Sequence, residues 1–324
     1  MVHRSLLRQP AGQAASRIAL LHLDAAHAAH ARLKDGSDTE ALHDFRVALR
    51  RTRSVLRAYR PWLGRIPRKL RRQLRALARD TNVARDTEVM MDWLKTERRK
   101  IQDKHRPGFL WLQALLGERY EKSCAEITRE VLKDFAGMEQ GLRASLAAIA
   151  NTDREVAPTP SCAEVTADLI RQHLAELADH LAGIGSVADA KAIHATRIRG
   201  KRLRYLIEPL ADELPAAKII VGRMKQFQDR FGVLCDAFVQ TRELTAAVEA
   251  AGAIAARARL ERTLGGKRPD EAANVLPGLL ALALRLRNET RRRYAIVERH
   301  YLGDRAGRFL DAMESLAGTL AGQA

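Results

Sequence analysis

A row of basic residues recurs at helical spacing in the first part of the chain, beginning with a histidine. On a helix that turns about 100° per residue, Arg46, Arg50, Arg53 and Arg57 fall with His43 inside an arc of roughly 80°. Arginine presents a planar fork of donors that grips two phosphate oxygens at once, and it keeps its charge at physiological pH. This row, the first stripe, therefore predicts a site for a linear anion whose charge repeats along its length.

The same row occurs a second time, 151 residues further along the chain. The shift aligns His43 with His194, Arg46 with Arg197, Arg50 with Lys201, Arg51 with Arg202, and Arg53 with Arg204. We call His194, Arg197, Lys201 and Arg204 the second stripe; it is shorter, because Glu208 stands where the first stripe has Arg57. So many matches at one offset indicate an internal duplication, and we expect each copy to form a helical bundle.

The helix that we predict after each stripe adds positive charge. From His43 to Arg79 there are thirteen lysines and arginines but one acidic residue, Asp44. Two like charges about 6 Å apart repel by roughly 3 kcal/mol at an effective dielectric near 20, before salt reduces that value. A bound anion would relieve the repulsion. The candidate binding residues are His43, Arg46, Arg50, Arg51, Arg53, Arg57, Lys69, Arg72, Arg75, Arg79, His194, Arg197, Lys201, Arg202, Arg204, Lys218, Arg223 and Lys225.

The net charge of +17 predicts a polyanionic partner, and three classes fit: nucleic acid, an acidic membrane surface or polyphosphate. Aromatic residues make up only 5% of the chain, and no nucleic-acid module is recognisable, so no specific nucleic-acid partner is expected. Nonspecific nucleic-acid binding stays an alternative. The apolar run Leu276–Leu284 is too short to span a bilayer, so we expect no membrane partner.

A second alternative is a metal-assisted phosphohydrolase that acts on polyphosphate or nucleotides. The acidic residues of segment 80–88 could hold a divalent cation, although ion pairing with nearby arginines is the expected use. His22, His27 and His30 could also be metal ligands, although a polar helix face is the commoner use. The pair Gly266-Lys267 could end a Walker phosphate loop, but that loop needs a glycine five residues before Gly266, where Glu261 stands. No nucleophile–base pair is visible either. We therefore expect no enzyme activity, no cofactor and no bound metal.

The composition predicts an all-α fold, because alanine, leucine and arginine favour helices. Ser37–Glu40 and Ser161–Glu164 have the spacing of capping boxes, and each should open a helix. Asn82 aligns with Gly232, and both residue types tolerate the left-handed conformation that ends helices. The apolar faces beside the stripes, which should pack into the core, include Phe45, Leu49, Ile193 and Leu203. The predicted organisation is a first bundle over residues 1–150, a linker over 151–160 and a second bundle over 161–324.

The cysteines and the N-terminus bear on the compartment. Cys124, Cys162 and Cys235 are odd in number and far apart, which indicates neither a zinc ribbon nor a disulfide framework and fits a reducing cytoplasm. The first residues show no apolar run or cleavage site typical of a signal peptide. We therefore predict a cytoplasmic protein.

The doubled motif resembles that of the conserved histidine α-helical domain family, abbreviated CHAD. The first copy reads His-x-x-Arg-x-x-x-Arg-Arg-x-Arg from His43, and the second reads His-x-x-Arg-x-x-x-Lys-Arg-x-Arg-Tyr up to Tyr205. Asp86 and Asp236 lie in segments that resemble the family's Arg-Asp turn motif. The resemblance covers nearly the whole chain, from about residue 16 to 320.

The resemblance implies two pseudo-symmetric helical bundles whose basic helices face a shared central cavity. It also implies binding of inorganic polyphosphate, with phosphate or sulfate as mimics, and residence on polyphosphate granules. Cys235 and Phe238 stand where the family usually has an arginine and a second acid, which weakens the second turn motif but leaves the stripes unchanged. Because no catalytic pattern accompanies the stripes, the predicted function is non-catalytic binding of polyphosphate.

Overall fold

The computed structural model describes residues 5–33, 38, 40–81, 83–152, 159–265 and 275–322. These residues form α-helices and no β-strand, so the all-α prediction is confirmed. Within the same residues, no helix combines the length and the apolar character needed to cross a membrane. The helices are α1 (Ala11–Arg32), α2 (Ala41–Ala58), α3 (Arg68–Asp80), α4 (Val83–Glu97), α5 (Arg106–Ala150), α6 (Cys162–Ala182), α7 (Ala190–Ile207), α8 (Pro215–Thr263), α9 (Leu276–Tyr301) and α10 (Arg305–Ala321).

The chain divides into two compact units, each assembled from separate segments. Unit 1 comprises Met1–Asn82, Ile127–Phe231 and Val297–Ala324, and unit 2 comprises Val83–Glu126 and Gly232–Ile296. Both stripes, which lie on α2 and α7, therefore belong to unit 1. The boundary that we predict at residues 151–160 follows the sequence repeat and stays a prediction; residues 153–158 lie outside the described residues.

The two helices for which the sequence predicts a capping box begin in different ways. At α6 the predicted capping box is confirmed: the Glu164 amide donates to the Ser161 hydroxyl at 3.1 Å, and the Ser161 amide donates to the Glu164 carboxylate at 2.7 Å. Ser37 lies outside the described residues, and α2 begins at Ala41. Asp38 Oδ1 accepts hydrogen bonds from the first two amides there, so an aspartate satisfies the donors at the start of α2.

The helix end expected at Gly232 is wrong. Gly232 lies inside α8, which runs without a break from Pro215 to Thr263. A glycine inside a helix costs about 1 kcal/mol relative to alanine. Burial of the neighbouring Phe231 and Leu234 offsets this cost. Asn82, which aligns with Gly232 in the repeat, lies outside the described residues.

The apolar faces beside the stripes pack into the core of unit 1, as expected. Phe45 and Leu49 of α2 and Ile193 and Leu203 of α7 are all fully buried. Because buried and basic residues alternate around each helix, burying one face fixes the direction in which the stripe points.

A close approach at Gly200 sets the distance between α7 and the first part of α8. A Cβ atom at this position would lie 2.3 Å from Cε1 of Phe227, so a larger residue does not fit without movement. The carbonyl of Gly200 also accepts from Nε2 of Gln228 at 3.2 Å. The second stripe is therefore carried by a helix that is packed tightly against its successor.

Unit 2 has its own apolar core. Its buried residues include Met90, Trp93, Leu94, Phe109, Leu112, Leu279 and Leu282. The beginnings of α5 and α9 touch through glycines: a Cβ on Gly108 would lie 2.2 Å from the carbonyl oxygen of Val275, and one on Gly278 would lie 2.3 Å from that of His105. Neither glycine can be enlarged without separating two backbones.

Candidate anion-binding site

Tyr205 joins the two stripes inside unit 1. Nε of Arg50, on α2, donates to the hydroxyl of Tyr205, on α7, at 2.7 Å. The guanidinium carbons of Arg204 and Arg50 lie 4.9 and 5.9 Å from the centre of the Tyr205 ring, within the range of cation–π attraction. One buried ring therefore orients an arginine from each stripe.

The two stripe helices cross with opposite chain directions. Arg50 meets Tyr205 near the end of α7, whereas Arg57, two turns further along α2, acts on Arg202, which lies earlier on α7. The histidines that begin the two stripes therefore lie toward opposite ends of the crossing. An anion that follows both stripes would meet a histidine at each end.

Positive charge from α3 and from α7 is crowded against α2. Burial lowers the pKa of Arg53, and the charges of Arg75 and Arg57 lower it further. Burial also lowers the pKa of Arg202, with further lowering by Arg57 and Arg199. These guanidinium groups disfavour one another's charged state, so an anion at this point would be stabilised by several of them together.

A carboxylate lies beside this positive surface. Glu208, in the short 3-10 helix after α7, accepts from Nη2 of Arg51 at 2.8 Å and lies 3.6 Å from Nη1 of Arg204. The Nε–H groups of Arg51, Arg204 and Arg197 are buried, and the described residues offer them no hydrogen-bond acceptor. Buried donors without acceptors cost free energy, so an anion that reaches them recovers that cost.

Arg46 belongs to the first stripe by spacing, but it is buried, with 6% of its surface exposed. Its Nε donates to the carbonyl oxygen of Thr81, the residue that follows α3. The bond satisfies a carbonyl at a helix end and fastens α3 to α2. We infer that Arg46 positions the stripe from within the protein.

The predicted residues on α3 and α8 are exposed. They are Lys69, Arg72, Arg75 and Arg79 on α3, and Lys218, Arg223 and Lys225 on α8. The charge of Arg75 lowers the pKa of Arg53 in the first stripe, and Arg79 forms an ion pair with Asp80 at 2.8 Å. The other five leave positive charge on the surfaces of their helices.

The stripe histidines, His43 and His194, are exposed near the beginnings of α2 and α7. Partial desolvation lowers the pKa of His194, and the charges of Arg197 and Lys201 lower it further. The His194 imidazole is therefore neutral at pH 7 without a ligand, and an anion between these cations would favour its protonated form.

The three histidines of α1 have separate surroundings. His27 bonds to Glu139 at 2.9 Å, the His30 ring lies 4.7 Å from the centre of the Phe135 ring, and His22 faces α2. In the part of the chain that the structure describes, no group of three or more His, Cys, Asp or Glu side chains could hold a metal ion.

The acidic residues of segment 80–88 form ion pairs, as expected. Asp86 accepts from Nη2 of Arg242 at 2.5 Å within unit 2. Asp236, which the resemblance assigns to a turn motif, lies inside α8. The second motif is therefore not a turn in this chain.

Some residues of this site escaped the spacing argument. Tyr205 was visible as the last residue of the second motif, but its spacing gave no sign of the bond to Arg50. Arg199 lies on α7 off the face of the second stripe, yet its charge lowers the pKa of Arg202. His22 comes from α1, whose contacts with α2 the sequence does not reveal.

Comparison with solved structures shows the fold. The crystal structure of the CHAD domain from the plant Ricinus communis is similar at a TM-score of 0.65 and 22% identity, over 85% of this chain and 93% of that one. PptA from Streptomyces chartreusis is similar at a TM-score of 0.54 and 15% identity, over 97% of this chain and 100% of that one. No curated protein matches the sequence significantly.

The sequence also matches a family model. The model describes the CHAD domain, and the match extends over residues 17–245, which include both stripes. More than half of the chain is covered, and the solved CHAD domain has the same fold. The chain therefore belongs to the CHAD domain family.

Proposed function

We propose that this protein binds inorganic polyphosphate without catalysing a reaction on it. The observation that carries the proposal is the crowding of Arg53, Arg57 and Arg202 where α2 and α7 cross in unit 1. Such crowding raises the free energy of the empty protein and is relieved by a dense, repeating negative charge. Polyphosphate carries that charge on every unit of its chain.

The proposed ligand is a thin chain because the site offers cations but little stacking surface. Nucleic-acid-binding proteins hold unpaired bases on exposed aromatic rings. Tyr205, the aromatic residue between the stripes, is only 4% exposed and already contacts two arginines. A central cavity between the stripes and residence on cytoplasmic polyphosphate granules form parts of the same proposal.

A binding role without catalysis fits the chemistry at the crossing. Glu208, the carboxylate found there, is held by Arg51 and faces Arg204. Hydrolysis of a phosphate chain needs a base or a metal ion that activates water. A carboxylate engaged by two arginines is poorly placed for either task.

A competition experiment at physiological salt tests the proposal. The full chain is loaded with fluorescently labelled polyphosphate and challenged with unlabelled polyphosphate or with duplex and single-stranded DNA, each matched in total charge. We expect polyphosphate to displace the probe at much lower concentration than DNA. Equal displacement by DNA would instead identify a nonspecific nucleic-acid binder, and release of phosphate from the ligand would identify a hydrolase.

Paired variants locate the site. We expect Arg53→Gln with Arg202→Gln to weaken polyphosphate binding about a hundredfold, because each lost charge removes a charge-assisted bond. Arg98→Gln with Arg99→Gln removes two exposed charges from unit 2 and is the matched control. Equal losses in both variants would contradict a localised site.

A further inference from the structure

A second pair of histidines is related by the same shift of 151 residues as the stripe histidines. His22 lies on α1 and His173 on α6, and each is followed by a buried leucine, Leu23 or Leu174. Both lie in unit 1. The spacing of the stripes does not include them, because they lie on helices that pack beside α2 and α7.

His22 is half-buried against the first stripe helix. The charged groups that act on it are Arg51 of α2 and Glu208, which are bonded to each other at 2.8 Å. Burial lowers the pKa of His22 to about 4, with a further lowering by Arg51 and a smaller raising by Glu208. Without a ligand this imidazole is therefore neutral at physiological pH.

His173 has matching surroundings on the second stripe helix. Its Nδ1 lies 3.4 Å from the carboxylate of Glu176, which also accepts from Arg199. Burial lowers the pKa of His173; Glu176 raises it, and Arg202 and Arg199 lower it. These are the charged groups that act on His173 from its own helix and from α7.

The two arrangements share one plan. Arg51 and Arg202 are matched by the shift of 151, and each acts on the histidine of the neighbouring helix. Glu176 lies beside His173 and holds Arg199, and Glu208, whose charge raises the pKa of His22, holds Arg51. The two glutamates are not matched by the shift, so the plan recurs although its acidic members come from different positions.

We propose that His22 and His173 are positioning residues of the anion site that take up protons when the anion binds. The anion competes with Glu208 and Glu176 for their arginines, and each released carboxylate then pairs with the adjacent histidine. The protons come from solvent, and no covalent bond changes. The inference rests on the proposed binding of polyphosphate to the stripes and adds a regulation: affinity rises as the pH falls from neutral toward 5.

The physical basis is the balance of charge around each imidazole. In the empty protein, arginine charges and burial oppose protonation. A phosphate chain reverses the sign of the nearby field, and a released carboxylate adds an acceptor for the imidazolium. Two residues that only filled space between helices would not gain protons on binding.

Proton uptake is measured by calorimetry of the full chain at pH 6, with sodium polyphosphate of one defined length, in two buffers of different ionisation enthalpy. We expect the parent to take up at least about one proton per complex. The variant His22→Gln with His173→Gln should take up at least about one proton fewer than the parent. His27→Gln, on the same helix as His22 but bonded to Glu139, is the control and should match the parent.

The outcomes separate the two proposals. If polyphosphate gives no binding heat in either buffer and does not displace the labelled probe, the proposed function fails. If it binds but the double variant takes up as many protons as the parent, the role of His22 and His173 is overturned and the function stands. Should the double variant fold poorly, NMR titration of the histidine rings in the parent decides: the pKa values of both must rise when polyphosphate is added.

Discussion

Arginine is used in opposite ways at two places in this protein, one in each unit. In unit 2, Arg285 donates to Glu97, a carboxylate whose side chain is only 4% exposed, and Arg293 donates to Glu289. Glu289 also accepts from the indole of Trp93 at 2.9 Å. Both of these guanidinium groups are matched with an internal acceptor, and the bond from Arg285 to Glu97 joins α9 to α4.

At the crossing in unit 1, the charges of neighbouring arginines oppose one another. Arg53 and Arg202 have lowered pKa values because burial and neighbouring cations both oppose their charge. Composition is basic in both regions. At the crossing Glu208 holds Arg51, but within the described residues no carboxylate bonds to Arg53 or Arg202. On the proposed function, unmatched charge gives the crossing its capacity to bind an anion, whereas matched charge supports the fold.

The largest expected effect that tests this comparison is on salt dependence. About eight phosphate contacts at a coefficient of about 0.7 each give a log–log slope near −6, which means a loss of affinity of about 2,000- to 4,000-fold between 50 and 200 mM salt. Arg53→Gln with Arg202→Gln should make the slope shallower by about 1.4, whereas Arg98→Gln with Arg99→Gln should leave it unchanged. Fluorescence titrations across salt concentrations measure both slopes, and a parent slope shallower than about −2 would contradict many contacts.

The next largest effect is on the packing of unit 2. Gly108→Ala places a Cβ 2.2 Å from a backbone oxygen at the α5–α9 contact, so we expect it to lower the free energy of unfolding by about 2–3 kcal/mol. Gly117→Ala, on the same helix with open space around it, should be neutral or stabilising by up to about 1 kcal/mol. Urea denaturation compares them, and equal stabilities would show that the helices can separate at little cost.

A smaller effect should follow from removing a matched carboxylate. Burial raises the pKa of Glu97, but its bonds to Lys100 and Arg285 bring it below the ordinary value. The charged form therefore contributes stability that is present above the unfolded pKa and is lost as the pH falls through the lower folded value. Glu97→Gln should cost about 2 kcal/mol at pH 7 and less below pH 4. Denaturation at several pH values measures this, and a cost independent of pH would assign the loss to packing.

The smallest expected effect is a gain in stability at the crossing. Without ligand, Arg53→Gln with Arg202→Gln should keep or raise the melting temperature by a few degrees, because it removes mutual repulsion while the stems still pack. Scanning calorimetry should also show a reduced shift when polyphosphate is added. A variant that melts well below the parent but keeps the full ligand shift would identify these arginines as structural partners.

Helical spacing predicts a face of a helix but not what covers it. The repeated motif was sufficient to find α2, α7 and their apolar sides, because periodicity and burial are coupled along one element. Arg46 shares its face with Arg50, yet the end of α3 covers it, and that contact depends on a neighbouring helix. Gly232 failed as a helix end for the same reason, since packing outweighed local preference.

The shift of 151 residues contained more information than the stripes alone used. It relates His22 to His173 as well as His43 to His194. Three histidines lie close together on α1, and the sequence could not show which of them is near the charges of the first stripe helix, because their different surroundings arise only from tertiary packing. A search for matches on the helices before the stripes would have found the pair, though not its carboxylate neighbours.

The distance along the chain between α2 and α7 has a consequence for protein synthesis. About 150 residues separate the end of α2 from the end of α7. At about 5–20 residues per second, the ribosome needs about 10–30 s to synthesise this stretch. During that interval the first stripe has emerged, but Tyr205 and Glu208 do not yet exist to orient it. The nascent chain is therefore an unassembled cationic helix beside ribosomal RNA, and only completion of its second half supplies the residues that complete the proposed site.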